Sequence, residues 1–300
     1  MKKKTYLFTL MAMALTLGSC SDNENGIGGE TSKYITVSTS IGNMTRVATD
    51  EKGGQTFEEG DEISVYAWTG DATVAPETRE RVVNNAINKL TNGSWVSTPQ
   101  MLWKNNRDKH YFIGVYPTAA ISDLSAGEYT FDANKQTESD LLVAVNPDGL
   151  SYNVDEPQTV PLTFTHVMAK LAVNLTYKNQ WGGIPTVEKV VVGNAAKEAT
   201  INYLTKVVTP STTAKEDFSL PEITENTKYV SVIIPQEEVT QLTIVIGGKN
   251  FVYDNGTPFK LESGKITTVN LEVGRDEIKL GDVKITNWED GSTFSGEALN

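Results

Sequence analysis

Few residues in this 300-residue chain could carry covalent or acid–base chemistry. Cys20 is the sole thiol, and His110 and His166 are the sole imidazoles. With no second cysteine, no internal disulfide can form. The sequence contains no H-E-x-x-H, G-x-S-x-G, P-loop or G-x-G-x-x-G pattern. His110, in "DKHYF", and His166, in "FTHVMAK", each open a strand-like run. Both read as core histidines satisfied by hydrogen bonds rather than as bases. Asp148, Asn153, Asp155 and Glu156 in "NPDGLSYNVDE" offer the oxygens a hard cation takes. Their spacing follows no regular loop, so a solvated turn is the reading. Carboxylate pairs are too common in an acidic chain for their spacing to define a glycosidase. Trp68, Trp95, Trp103, Trp181 and Trp288 could stack on sugars, but such residues more often pack cores. The expectation is a non-enzyme with no cofactor and no metal.

The surroundings of Cys20 give the thiol another use. Lys2, Lys3 and Lys4 precede an apolar run from Tyr6 to Leu17. That run is too short to span a bilayer, which takes about 20 residues, and it has the layout of a secretory signal peptide. Leu17-Gly18-Ser19-Cys20 resembles the bacterial lipobox, in which the cysteine takes a diacylglycerol and becomes the first mature residue. Residues 1–19 are then a signal peptide. Residues 20–32 form a flexible Gly-, Asn-, Ser- and acid-rich tether, similar to the acidic stretch that directs Bacteroidota lipoproteins to the cell surface. Acyl chains contribute about 0.8 kcal/mol per buried CH₂, enough in combination to anchor firmly.

The whole chain has 26 Lys+Arg against 38 Asp+Glu, a net charge of −12, and losing residues 1–19 takes it to −15. This argues against nucleic-acid binding and against electrostatic docking on anionic lipid.

After the tether the pattern is that of strands. "YITVSTSI" places Ile35, Val37, Thr39 and Ile41 on one face, the two-residue period of a half-buried strand. "EISVYAW", "KHYFIGVYP", "VPLTF", "KLAVNLTY", "VEKVVVG", "KYVSVIIP", "QLTIVIGGKNFVY", "KITTVNLEV" and "DVKITNW" read the same way. "ESDLLVAV" is expected to stop at the turn chemistry of "NPDG". "ETRERVVNNAINKL" has some helical spacing but is assigned to a strand. Gly247-Gly248-Lys249-Asn250 and "YDNGTP" mark turns. No βαβ rhythm appears. The expected fold is all-β, two tandem antiparallel β-sandwich domains at 33–157 and 158–300.

Several landmarks occur in a telling order: Thr45-Arg46; Phe57-Glu58-Glu59-Gly60-Asp61 with Ile63 and Val65; Gly93-Ser94-Trp95; Leu102-Trp103; "YFIGVYP"; Asp140–Ala144; "VPLTFTHVMAKLAVNL" with His166 and Lys170; and finally Val283, Ile285 and Trp288. The series resembles the fimbrillin family of Bacteroidota surface pilins and Mfa-like lipoproteins, from the lipobox almost to the C-terminus. The resemblance implies transthyretin-like sandwiches on an outer-membrane lipid anchor. It also implies that an arginine-specific protease removes the first strand and a sister subunit fills the groove. Carried onto this sequence, cleavage falls after Arg46, and Ile35, Val37 and Ile41 form the core of the displaceable strand.

The residues support that carry-over. Strand 34–42 is followed by "NMTRVATDEKGGQ", a polar glycine-containing loop of the kind proteases favour. Its loss would bare an apolar slot and unpaired backbone groups, which an incoming strand would restore. The C-terminal segment "GDVKITNWEDGSTFSGEALN" could supply that strand or be a permanent part of the second sandwich. Expected partners are other fimbrial subunits and the outer membrane, with host protein or glycan as adhesion targets. The competing reading is a monomeric surface lipoprotein that binds glycan or host protein.

Overall fold

The computed structural model describes residues 33–42, 56–153, 155, 158–253 and 258–288. In the first half the strands are β1 (Thr36–Ile41), β2 (Glu62–Thr69), β3 (Val83–Thr91), β4 (Ser94–Thr98), β5 (Lys109–Tyr116), β6 (Gly127–Thr130), β7 (Leu142–Ser151) and β8 (Thr159–His166). The second half contributes β9 (Ala169–Tyr177), β10 (Val187–Ala196), β11 (Glu198–Asn202), β12 (Val207–Pro210), β13 (Lys215–Ser219), β14 (Glu222–Thr224) and β15 (Lys228–Ile233). It closes with β16 (Gln236–Val239), β17 (Leu242–Ile246), β18 (Lys249–Tyr253), β19 (Phe259–Leu261), β20 (Lys265–Val273) and β21 (Ile278–Asn287). The only helical pieces among the described residues are single 3-10 turns at Thr78–Glu80 and Asn179–Trp181. The all-β expectation holds, and the ambiguous 77–90 stretch becomes that first turn followed by β3.

Seven strands form one sheet in the order β1-β8-β7-β5-β2-β3-β4. Its two edges come together where β1 begins. The Ile35 N–H donates to the Met101 carbonyl at 3.0 Å and the Trp103 N–H to the Lys33 carbonyl at 3.1 Å. The sheet is therefore curled into a partly closed barrel. Ile35, Val37, Ile63, Val65, Phe112 and Phe164 fill its interior with other buried residues. β8 shows the simplest alternation, with Val160, Leu162 and Phe164 buried between exposed neighbours. β2 is buried along both faces, because Tyr66 and Trp68 point outward into a second core.

That second core is continuous across the two halves. It joins Tyr66, Ile113, Leu124 and Val143 to Leu171, Ile201, Val232 and Leu271. The second half supplies a four-stranded sheet (β13-β10-β17-β18), a five-stranded sheet (β14-β15-β9-β20-β21) and a β16-β19 pair. A three-stranded sheet, β12-β11-β6, ties the β11–β12 hairpin to the first half. The turn joining β17 to β18 contains Gly247 and Gly248 alone, with φ of 60° and 71°. This is the doubly positive geometry of a type I′ hairpin.

Three expectations need correction. First, not every pairing is antiparallel: β1 runs parallel to β8, and β9 parallel to β20. Parallel neighbours need a long crossover, and in both cases most of one half of the chain intervenes. Second, the expected division at 158 would assign β8 to the second unit, yet β8 is hydrogen-bonded between β1 and β7. Third, "NPDG" does not end its strand. β7 continues to Ser151, and the segment is an irregularity opposite Tyr111, with the Gly149 N–H bonded to Asn146 Oδ1 at 2.9 Å. Partner strand β5 extends past the site, so the turn residues are absorbed as a bulge. "YDNGTP" falls largely outside the described residues.

The bulge depends on glycine. Gly149 has φ of 64°, and a Cβ there would lie 2.7 Å from Tyr111 Cε1 and 3.1 Å from the His110 carbonyl oxygen. Gly149→Ala is expected to cost about 1–2 kcal/mol through left-handed strain and this clash, read from the urea midpoint at constant m-value.

Candidate functional site

The candidate site is the β1 edge. Ile35, Val37 and Ile41 are buried, with Thr36, Ser38 and Ser40 between them exposed. The register runs from Thr36↔Thr159 to Ile41↔Phe164, and the Gly42 N–H caps it on the Phe164 carbonyl at 2.8 Å. Two side-chain bonds follow the ladder on its exposed face, Thr36 to Thr159 and Ser40 to Thr163, each 3.2 Å. Among the described residues the opposite edge of β1 pairs with no strand. It faces a cleft of about 630 Å³, bounded by β1, the β3–β4 hairpin and Phe57.

Two aromatics that composition alone did not single out as functional shape that cleft. Trp95, on β4, reaches across to donate its Nε1–H to Thr39 Oγ1 at 3.0 Å. Phe57 packs edge-on against Trp95, Tyr116 and Phe164, with centroids 5.1–5.3 Å apart, and so closes the end of the barrel. The available signal was their place in the ordered landmarks, Phe57 three residues ahead of Gly60-Asp61 and Trp95 after Gly93-Ser94.

The other sequence candidates do not gather here. Cys20 and Arg46 lie outside the described residues, as does Glu156. Asp148 sits in the β7 bulge, where its carbonyl accepts from Lys109 Nζ at 3.2 Å. Asn153 Oδ1 is engaged with the Asp155 N–H at 3.0 Å. The tryptophans form no common platform. Trp68 is buried, with Nε1–H on the Asp71 carbonyl. Trp103 is buried against His110, and Trp181 donates to the Val273 carbonyl. Trp288 stacks on His166 with centroids 4.2 Å apart and planes 8° from parallel.

His110 is fully buried. Its Nε2 accepts from the Lys104 N–H at 3.0 Å and its Nδ1 lies 3.1 Å from the Asp108 carbonyl. A neutral ring protonated on Nδ1 satisfies both contacts. Burial, the dominant cause, holds its pKa below the usual 6.5. The native state therefore takes up its proton later than the unfolded chain as pH falls, and stability drops through about pH 6.5. Between pH 7.5 and 5.5 the wild type is expected to lose more stability than His110→Gln, measured by urea unfolding at each pH. Equal losses would assign the slope to other groups.

A seven-stranded curled sheet with a parallel edge strand, sharing one core with further sheets, is the arrangement to compare with known proteins. The family model described as fimbrillin-like matches residues 45–288. The chain belongs to the fimbrillin-like family. This fimbrillin-like chain is also similar to a candidate fimbrium subunit of Bacteroides uniformis, Fim1C, at 24% identity over 315 residues, 97% of each chain. A crystal structure of a candidate cell adhesion protein from Bacteroides uniformis matches with a TM-score of 0.63 at 18% identity, covering 85% of the fimbrillin-like chain and 98% of the other. A second, from Bacteroides ovatus, gives 0.64 at 17% identity over 85% and 98%. At such identities the structural likeness speaks for the fold alone.

Proposed function

We propose that this protein is a cell-surface fimbrial subunit or fimbrium-associated lipoprotein, anchored to the outer membrane through Cys20, that assembles with other fimbrial subunits by β-strand exchange and supports adhesion to host protein or glycan. One observation carries the reading: Ile35 and, on β1, Val37 and Ile41 are seated in the barrel, while among the described residues the backbone ladder of β1 itself is made with β8. The other side holds it only through the Ile35–Met101 and Trp103–Lys33 bonds at its start and the Trp95–Thr39 side-chain bond. Membership of the fimbrillin-like family and the named relatives are in keeping with a fimbrial, adhesive role.

Removing β1 would uncover the β8 edge and the interior it covers. Refilling the slot with three apolar side chains contributes about 5–9 kcal/mol before ordering entropy, at roughly 1.5–3 kcal/mol each. Backbone pairing would add to this. Arg46, four residues beyond Gly42, is the proposed cleavage point. The C-terminal segment of a sister subunit is one proposed donor, the alternative being that it is a permanent strand of its own subunit, where β21 pairs with β20. β21 lies at the edge of its sheet with Val283 and Ile285 partly exposed.

The test is limited digestion of the full chain with an arginine-specific protease. Release of a fragment ending at Arg46 with detergent-resistant ladders on gels is the expected result. Release with the protein remaining monomeric would overturn strand exchange. Cys20→Ala is expected to free the chain from the membrane fraction, and unchanged retention would refute the lipid anchor.

A further inference from the structure

A cavity of about 520 Å³ lies where the seven-stranded sheet meets the five-stranded one. Phe57, Asp61 and Tyr116 line it from one side, Asp140 and His166 from the loop and strand end between, and Lys170 from β9. Ile223, Val230 and Val232 complete an apolar wall.

Its charges are arranged unevenly. Asp140 Oδ1 is 2.8 Å from His166 Nδ1. Asp61 accepts the Tyr116 hydroxyl at 3.3 Å and the Glu58 N–H at 2.7 Å. Lys170 differs from both. Among the described residues its ammonium makes no hydrogen-bonded ion pair; it lies over the Trp288 ring, 4.4 Å from the centroid, and feels the charge of Asp140 only at longer range. It is substantially buried, and that burial pushes its pKa down, with Asp140 opposing. A partly desolvated ammonium on an aromatic face still has donors to satisfy, and an anionic oxygen satisfies them best.

The neighbours restrict which anion fits. Phosphate or sulfate esters in series, or an acidic peptide, would bring several negative charges against Asp61, Asp140 and a chain of net charge −12. A single carboxylate carried by a hydroxyl-rich ring avoids that repulsion. Its hydroxyls can donate to the lone pairs left on Asp61 and Asp140, and its C–H face can lie against the half-buried Phe57 and Tyr116 rings. The cavity's size suits one or two sugar rings. We propose that this junction cavity binds a sugar acid, a carboxylated pyranose whose charge is met by Lys170.

Ile41 of β1 also lines the cavity and Trp288 follows β21, so the site is tested on the uncut monomer, while strand exchange is read separately on gels and either can fail alone. The test is calorimetric titration of the full chain with glucuronic acid and N-acetylneuraminic acid, with glucose and acetate as the neutral-sugar and bare-carboxylate arms. At least one sugar acid is expected to bind with millimolar affinity or better, and at least about tenfold more tightly than either control. Lys170→Met is expected to weaken it about tenfold or more, Lys170→Arg to retain most of it, and added salt to weaken wild-type binding. Should Lys170→Met fail to fold, the Arg variant and the salt dependence decide. Silence with both acids, an equal response to acetate or glucose, unchanged affinity in a folded Lys170→Met, loss in Lys170→Arg, or insensitivity to salt each overturns the proposal.

Discussion

Val37→Asp is expected to lower the stability of the uncut chain by about 3–5 kcal/mol, while Ser38→Asp, one residue along the same strand, changes it by less than about 0.5 kcal/mol. Val37 faces the barrel interior and Ser38 faces outward. A carboxylate at 37 is buried without a partner, or it drives β1 out of its seat. In a chain of this size the loss corresponds to a fall in melting temperature of about 10 °C, measurable by scanning calorimetry. Strand exchange adds a sharper consequence. If β1 is discarded, polymer assembled from Val37→Asp subunits melts like wild-type polymer, because the altered residue is no longer present. A processed polymer that keeps the deficit would show that β1 stays in place.

The second large effect is at Gly114, in the middle of β5. A Cβ there would come within 2.6 Å of Phe164 Cζ and 3.1 Å of Leu162 Cδ1. Both neighbours belong to β8, so the absent side chain is what lets β8 residues fill the barrel. Gly114→Val is expected to cost about 3 kcal/mol or more by overpacking. Shrinking the neighbour, in Gly114→Val with Phe164→Leu, recovers part of that loss, giving a favourable coupling in a double-mutant cycle of urea midpoints. Additive effects would mean that the two residues do not meet.

Local pattern made much of this legible. The alternation of β1 and β8 is complete enough to name Ile35, Val37, Val160, Leu162 and Phe164 as inward-facing from residue type alone. The Gly247-Gly248 pair marks a hairpin because few other residues take two positive φ angles in succession. What escaped depends on distant parts of the chain. Thr36 and Thr159 are 123 residues apart, and nothing in either strand says that they run side by side in the same direction. "NPDG" carries turn chemistry, and only the length of its partner strand makes it a bulge. Lys170 breaks an apolar run in "VMAKLAVNL", a visible irregularity. Its meaning as a half-buried cation with no hydrogen-bonded carboxylate among the described residues emerges only when Trp288, more than a hundred residues later, packs beside it.

The parallel seating of β1 also bears on mechanics. If the chain is anchored through residues 20–32 as proposed, tension would enter the described residues at Lys33, meet the Trp103–Lys33 and Ile35–Met101 bonds, and pass along β1, whose bonds to β8 run across the strand direction. Six successive residue pairs, Thr36 with Thr159 through Ile41 with Phe164, then share the load together instead of opening one after another. A ladder strained sideways in this manner yields at higher force than one peeled from its end. The same strand that proteolysis could release would thus resist being dragged out by flow.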